Sequence, residues 1–278
     1  MMSDVSPVSK RPKRQAKRQK ALAILAELKV LYPEAPCSLD YENPLQLLVA
    51  TMLSAQCTDE RVNKVTPALF ERFPSAQDYA EADLDEIESL VKTCGFYRNK
   101  AKNIRAACQK IITEFSGEVP QSMDELLQLP GVARKTANVV LAHAFGINAG
   151  VTVDTHVKRI TNRLGLTKHD QPVKIEQDLM KLLPQPDWEN WSIRLVYHGR
   201  AVCDARKPDC AACTLAQWCP TGPKLIKAAA KATSTRGPAA KKTASKKTTS
   251  KQGPSTSSKK LSNSTAAVSP VGQAQETA

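Results

Sequence analysis

The chain has 278 residues, 24% of them charged, with 41% hydrophobic residues, eight cysteines and a formal net charge of +13. That length allows one large or two modest domains, and the composition excludes a wholly disordered or fibrous chain. No apolar run approaches the ~18 residues of a membrane span, and residues 1–20 carry no apolar signal-peptide core, so an intracellular chain is expected, cytoplasmic or nucleoid-associated if bacterial.

The positive charge is unevenly placed. Residues 1–20 hold seven Lys/Arg against Asp4, and residues 221–278 hold eleven against Glu276. The middle, 21–220, is slightly acidic, with 22 basic and 25 acidic residues. Charge alone therefore predicts tails that adhere to polyanions rather than a basic binding groove.

In chain order, KRPKRQAKRQK reads as a basic, disordered arm over 1–21. A helix follows over roughly 16–32, apolar at Leu25, Leu28 and Tyr32 and stopped by Pro33. Asn43 and Pro44 have the N-cap and first-turn chemistry of a helix start, and Leu45, Leu48, Val49, Met52 and Leu53 form its apolar stripe. Helical periods recur at 62–73, 84–91 and 97–115. Ser122 and Glu125 have the spacing of a capping box, and Pro130-Gly131 then forces a tight turn. A second helix restarts at once with Ala137, Val140, Leu141 and Ala144 on one face. Further periods cover 157–164, 175–183 and 188–202, and no period-2 run is present. The fold expected is all-α, about ten helices with short joints. Residues 223–278 are rich in Lys, Ala, Ser, Thr, Pro and Gly, and no apolar face there can offset ordering entropy, so a disordered tail is expected.

Two features carry chemistry. The first is LPGVARKTANVV, a helix–hairpin–helix whose turn can aim the N–H groups of Gly131 and Ala133 at a phosphate. Lys135 sits in the first turn of the second helix, where the helix dipole and neighbouring Arg134 disfavour its charge, as suits a nucleophilic amine. The second is Cys203, Cys210, Cys213 and Cys219, spaced C-x6-C-x2-C-x5-C. Four clustered thiols in a reducing compartment indicate a metal site, and spacing alone leaves both tetrahedral zinc and an iron–sulfur cluster open. Cys37, Cys57, Cys94 and Cys108 are scattered singly among apolar residues and read as small core residues.

LPGVARKTANVV, the following VDTHVKR and the cysteine spacing together resemble the endonuclease III family over roughly 20–220. The resemblance implies a helix–hairpin–helix DNA glycosylase fold, with two helical domains, a cleft between them and an iron–sulfur loop. It divides the chain into a six-helix domain at 37–147, with the hairpin motif at about 122–145, and a second domain from 22–36 plus 148–222. It implies a base excision repair DNA N-glycosylase with AP lyase activity, a monomer whose partner is duplex DNA with oxidised pyrimidines or AP sites, and no membrane partner. Lys135 is then the nucleophile and Asp154 its carboxylate, while Cys203, Cys210, Cys213 and Cys219 hold a [4Fe–4S] cluster. Gln56, in LSAQ, and Phe96, in GFY, take the places of residues that wedge into the duplex. Arg134, Lys158, Arg159, Arg206 and Lys207 are candidate phosphate contacts, and His156 orders the loop around Asp154. His143, His169 and His198 read as structural. Two rivals remain: a monofunctional glycosylase of this fold, and a non-enzymatic helix–hairpin–helix binder. Lys135 speaks against the first, since monofunctional relatives lack this lysine, and the Lys135–Asp154 pair speaks against the second.

Overall fold

A computed structural model describes residues 11–227, and in that range eleven complete α-helices and two short 3₁₀ turns occur with no strand. The first helix, α1, runs Arg11–Leu31. This corrects the expected disordered arm, because Arg, Lys, Gln and Ala are strong helix formers and extend the turn that Ala21 and Ile24 anchor. Likewise, residues 222–227 are helical where the tail was expected to begin. The rest of both tails, 1–10 and 228–278, lies outside the described residues. No helix in the described range is long and apolar enough to cross a membrane.

α2 (Pro44–Ser54) begins as its sequence predicts, with Asn43 accepting from the Gln46 N–H. α3 is Asp59–Arg72, capped by Thr58. α4, Ala76–Glu81, was not expected; Ser75 and Asp78 cap each other's backbone, a box with Asp at the position where the sequence pattern asks for Glu or Gln. α5 (Leu84–Val91), α6 (Tyr97–Glu114) and α7 (Met123–Leu126) follow, then α8 (Arg134–Phe145). α9 (Thr155–Arg163), α10 (Pro172–Met180) and α11 (Trp188–Ala201) complete the set.

The apolar stripes of these helices close two separate cores. One gathers residues between Leu39 and Leu141, with Phe73, Tyr79 and Ile104 fully buried. The other joins Ala21, Ile24, Leu25 and Leu28 of α1 to Val157, Ile175, Trp191, Leu195 and Leu215. Each fully buried Leu, Ile or Phe contributes about 1.5–3 kcal/mol of transfer free energy, so separate cores make the two halves distinct packing units. Polar ties hold α1 in place: Lys20 Nζ donates to the Leu164 carbonyl at 2.5 Å, and buried Arg194 donates from Nε to Tyr32 O at 2.9 Å.

Candidate active site and nucleic-acid interface

The hairpin is a four-residue turn in which Val132 N–H donates to Leu129 O at 3.1 Å. Gly131 has φ +78°, the left-handed value that the third residue of a type II turn requires after Pro130. A Cβ at Gly131 would stand 2.8 Å from Asn103 Cβ, so the turn also rests directly on α6. Upstream, Ser122 caps α7 by accepting from Glu125 N–H, but its hydroxyl donates to Glu125 Oε2 at 2.6 Å instead of leaving that carboxylate to the backbone. Among the described residues the N–H groups of Gly131 and Ala133 have no protein partner, and both residues are exposed. Ala133 caps α8 without a side-chain acceptor. The open helix N-terminus therefore presents bare donors to solvent.

Lys135 is the second residue of α8 and is exposed. The protein alone does not bury its amine. Arg134, the other expected source of positive charge, is tied by Nε to buried Glu176 Oε2 at 2.6 Å. Asp154 caps α9, accepting from Val157 N–H through Oδ1 at 2.8 Å, and its Oδ2 faces His156 Nδ1 at 3.0 Å. Lys135 and Asp154 line one cleft of about 220 Å³ between the two cores, walled by Val139, Val157, Ile193 and Val196. His143, Thr152 and Glu189 also open into it, as does Cys37, whose thiol is pushed up chiefly by burial.

Gln56 and Phe96 are both exposed, Phe96 at 64%, and both hold left-handed backbone with φ +54° and +59°. Their loops touch, since a Cβ at Gly95 would lie 3.5 Å from the Gln56 carbonyl oxygen. Beneath them Lys100 is buried and donates from Nζ to the Leu53 carbonyl at 2.8 Å, closing the C-terminus of α2. Burial lowers the Lys100 pKa, and Cys94 beside it is raised to about 11 by burial and by Cys57.

The four late cysteines are free thiols of intermediate burial, and Cys203, Cys213 and Cys219 pack at the edge of the second core. Burial, and then the charges of Cys203 and Cys219, raise Cys210; Cys213 is raised by burial, with Cys203, Cys219 and Cys210 contributing, so the set lies within electrostatic reach. Among the described residues no three His, Cys, Asp or Glu side chains are gathered for a single metal ion. Arg163 spans the loop, donating from Nη1 to Cys203 Sγ at 3.2 Å and to Asp204 O at 2.7 Å, and from Nη2 to Ala205 O at 2.9 Å.

A family profile described as "HhH-GPD superfamily base excision DNA repair protein" matches residues 49–185. Endonuclease III of Synechocystis sp. is 69% identical over 209 residues, 75% of this chain and 95% of that protein. Endonuclease III of Bacillus subtilis is 46% identical over 71% of this chain and 90% of that protein. A solved trapped endonuclease III–DNA covalent intermediate superposes with TM-score 0.72 at 43% identity, covering 75% of this chain and 98% of that chain. The chain belongs to the endonuclease III family.

As an endonuclease III-family chain it divides its basic residues unevenly between surface and interior. Lys158 is half-exposed and pairs with exposed Asp170 at 3.3 Å. Arg206 and Lys207 are exposed, and Asp204 Oδ1 accepts both their backbone N–H groups at 2.8 Å, which fixes the loop and holds the Asp204 carboxyl below its usual value. Arg159 points inward: its guanidinium donates to Cys203 O and Gly199 O, so it braces the cysteine loop instead of facing solvent. His198 is buried between Tyr32 and Cys213, and burial lowers its pKa. Sequence reasoning missed Arg163 and Lys100. Neither carries a motif, and only the rule that a buried cation needs acceptors could have found them.

Proposed function

We propose that Lys135 is the nucleophile of this enzyme and Asp154 its partner carboxylate, acting on oxidised pyrimidines flipped out of duplex DNA. Membership of the endonuclease III family makes the chain a base excision DNA glycosylase with AP lyase activity, with duplex DNA as partner. The observation that carries the residue assignment is that α8 and the N-terminus of α9 bring Lys135 and Asp154 to one cleft between the two cores. An unprotonated Lys135 Nζ attacks C1′ and the C–N bond to the base breaks, the base leaving with the bonding pair. The amine then forms a Schiff base with C1′ of the opened sugar, and loss of a C2′ proton expels the 3′-phosphate by β-elimination. Free lysine has a pKa near ~10.4, so the amine needs a desolvated setting. Lys135 is exposed in the free protein and Arg134 is paired, so the reading assigns desolvation to the DNA that closes over the cleft, together with the N-terminus of α8. The role of Asp154 is to accept a proton and stabilise positive charge developing at the sugar.

Gln56 and Phe96 fit the wedges that fill the vacated stack, since both project from touching loops. The bare N–H groups of Gly131 and Ala133 fit a backbone phosphate, and Arg134, Lys158, Arg206 and Lys207 are further candidate phosphate contacts. Arg159 supports this interface through the cysteine loop. The two cores support a division into domains of 37–147 and of 22–36 plus 148–222. Cys203, Cys210, Cys213 and Cys219 would hold a [4Fe–4S] cluster, for which four free thiols within electrostatic reach of one another are a fitting donor set. When bound it would supply a structural staple that fixes the Arg206–Lys207 loop.

Borohydride trapping on a duplex with one thymine glycol tests the nucleophile. The unaltered chain should give a covalent protein–DNA adduct, and Lys135→Gln should lose adduct, base release and strand cleavage while still binding the damaged duplex. Undiminished adduct with Lys135→Gln moves the nucleophile elsewhere.

A further inference from the structure

The cleft holds a carboxylate that the chemistry at Lys135 and Asp154 does not use. Glu189 lies in the first turn of α11, and its side chain is only 7% exposed, yet it lines the cleft. Its Oε2 accepts from Thr152 Oγ1 at 2.6 Å, and its Oε1 faces His143 Nε2 at 3.4 Å. Thr152 precedes Asp154 by two residues, and His143 stands on α8, the helix that carries Lys135. Three walls of the cleft thus converge on one polar point, set among the apolar side chains of Val139, Val157 and Ile193.

An acceptor-only carboxylate offers about four lone-pair sites, and two neighbours use two of them. Leaving acceptor capacity in a largely buried cleft is unfavourable until a donor enters. The group that enters this cleft, on the reading that Lys135 attacks a flipped nucleotide there, is a pyrimidine presenting its Watson–Crick edge. On a thymine- or uracil-type ring the N–H at N3 is the one donor of that edge, and oxidation across C5–C6 leaves it in place. A cytosine-type ring puts a lone pair at N3, which a carboxylate repels.

We propose that Glu189, oriented by Thr152 and His143, accepts a hydrogen bond from N3–H of the flipped base and sets the preference for thymine- and uracil-type lesions. Glu189 reads the class of base and not the damage itself, because undamaged thymine shares the edge. A site built to pair with a ring N–H rejects a base that lacks it far more strongly than an apolar pocket rejects a small change of shape.

The test compares three single-turnover rates of the full chain: release of thymine glycol, release of N3-methylated thymine glycol, and cleavage at an abasic site, which has no base to read. Glu189→Gln should lower the ratio of thymine glycol release to abasic cleavage about tenfold. N3-methylation should lower the same ratio for the unaltered chain. Because Glu189→Gln takes the charge from, and N3-methylation removes, one shared hydrogen bond, the two losses together should fall well short of their product. His143→Gln, at the other end of the contact, should shift the ratio in the same direction and carries the test if Glu189→Gln does not fold. An unchanged ratio, losses that multiply, or an equal loss at the abasic site each overturn the proposal. Absence of a trapped adduct between the unaltered chain and abasic DNA is a separate result, which sinks the reading of Lys135 instead.

Discussion

Gln56 and Phe96 occupy backbone that glutamine and phenylalanine rarely adopt, with φ +54° and +59°. Left-handed backbone costs a non-glycine residue roughly 1–2 kcal/mol, and it persists only where surroundings fix it. Here the fixing contacts are the Lys100 ammonium on the Leu53 carbonyl and the approach of Gly95 to the Gln56 carbonyl. Phe96 is mostly exposed, so little burial is lost on shortening it. Phe96→Gly should therefore be more stable than Phe96→Ala by about 1 kcal/mol, because glycine relieves the strain and alanine keeps it. Both should lose base release from duplex DNA to a similar degree, and paired urea-unfolding curves with single-turnover rates check this. None of that strain was legible in the sequence. LSAQ and GFY named the two positions through a family resemblance, while the residues themselves argue against a positive φ. Lys100 was equally hidden, since a lysine reads as surface until the carbonyl that accepts from it is located.

Helices were legible where they carried both a cap and a stripe. Asn43-Pro44 marked the start of α2, and the apolar period over 84–91 gave α5 with its observed bounds. The six residues of α4 were too short for a period to register, although Ser75 and Asp78 hold its cap. α1 ran past its expected start because the signal there was charge, which says nothing against a helix. The cysteine loop shows the same split between motif and support. Its spacing was plain in the sequence, whereas its brace, Arg163, comes from α9 and reaches Cys203, Asp204 and Ala205. Purified protein should be yellow-brown with iron and sulfide in equal amounts, and Cys213→Ser should be pale and quickly cut by trypsin after Arg206. A colourless, fully active protein with one zinc per chain would overturn the cluster.

Across the whole molecule, charge and chemistry are carried by different parts of the chain. Residues 228–278 hold nine Lys/Arg against Glu276, whereas the cleft residues belong to a middle segment that is slightly acidic. Removing 228–278 should leave the single-turnover cleavage rate at saturating protein in place. It should flatten the slope of log affinity against log salt on undamaged duplex by at least about 2, since each neutralised phosphate contributes roughly 0.9. Coincident slopes would show that the segment takes no part in binding. A different consequence follows from the second core, which joins α1 to elements as late as Leu215. Ribosomes deliver α1 before the helices it packs with, so it emerges with its apolar face uncovered and waits for residues as late as Leu215. The Leu39–Leu141 core can close meanwhile, because all its residues are already outside the exit tunnel. Of the cleft's parts, the wall built from α9 and α11 emerges last. A nascent chain can therefore present its hairpin and Lys135 before it has Asp154 or Glu189, and damaged DNA meets a complete cleft only after synthesis has passed the final cysteine.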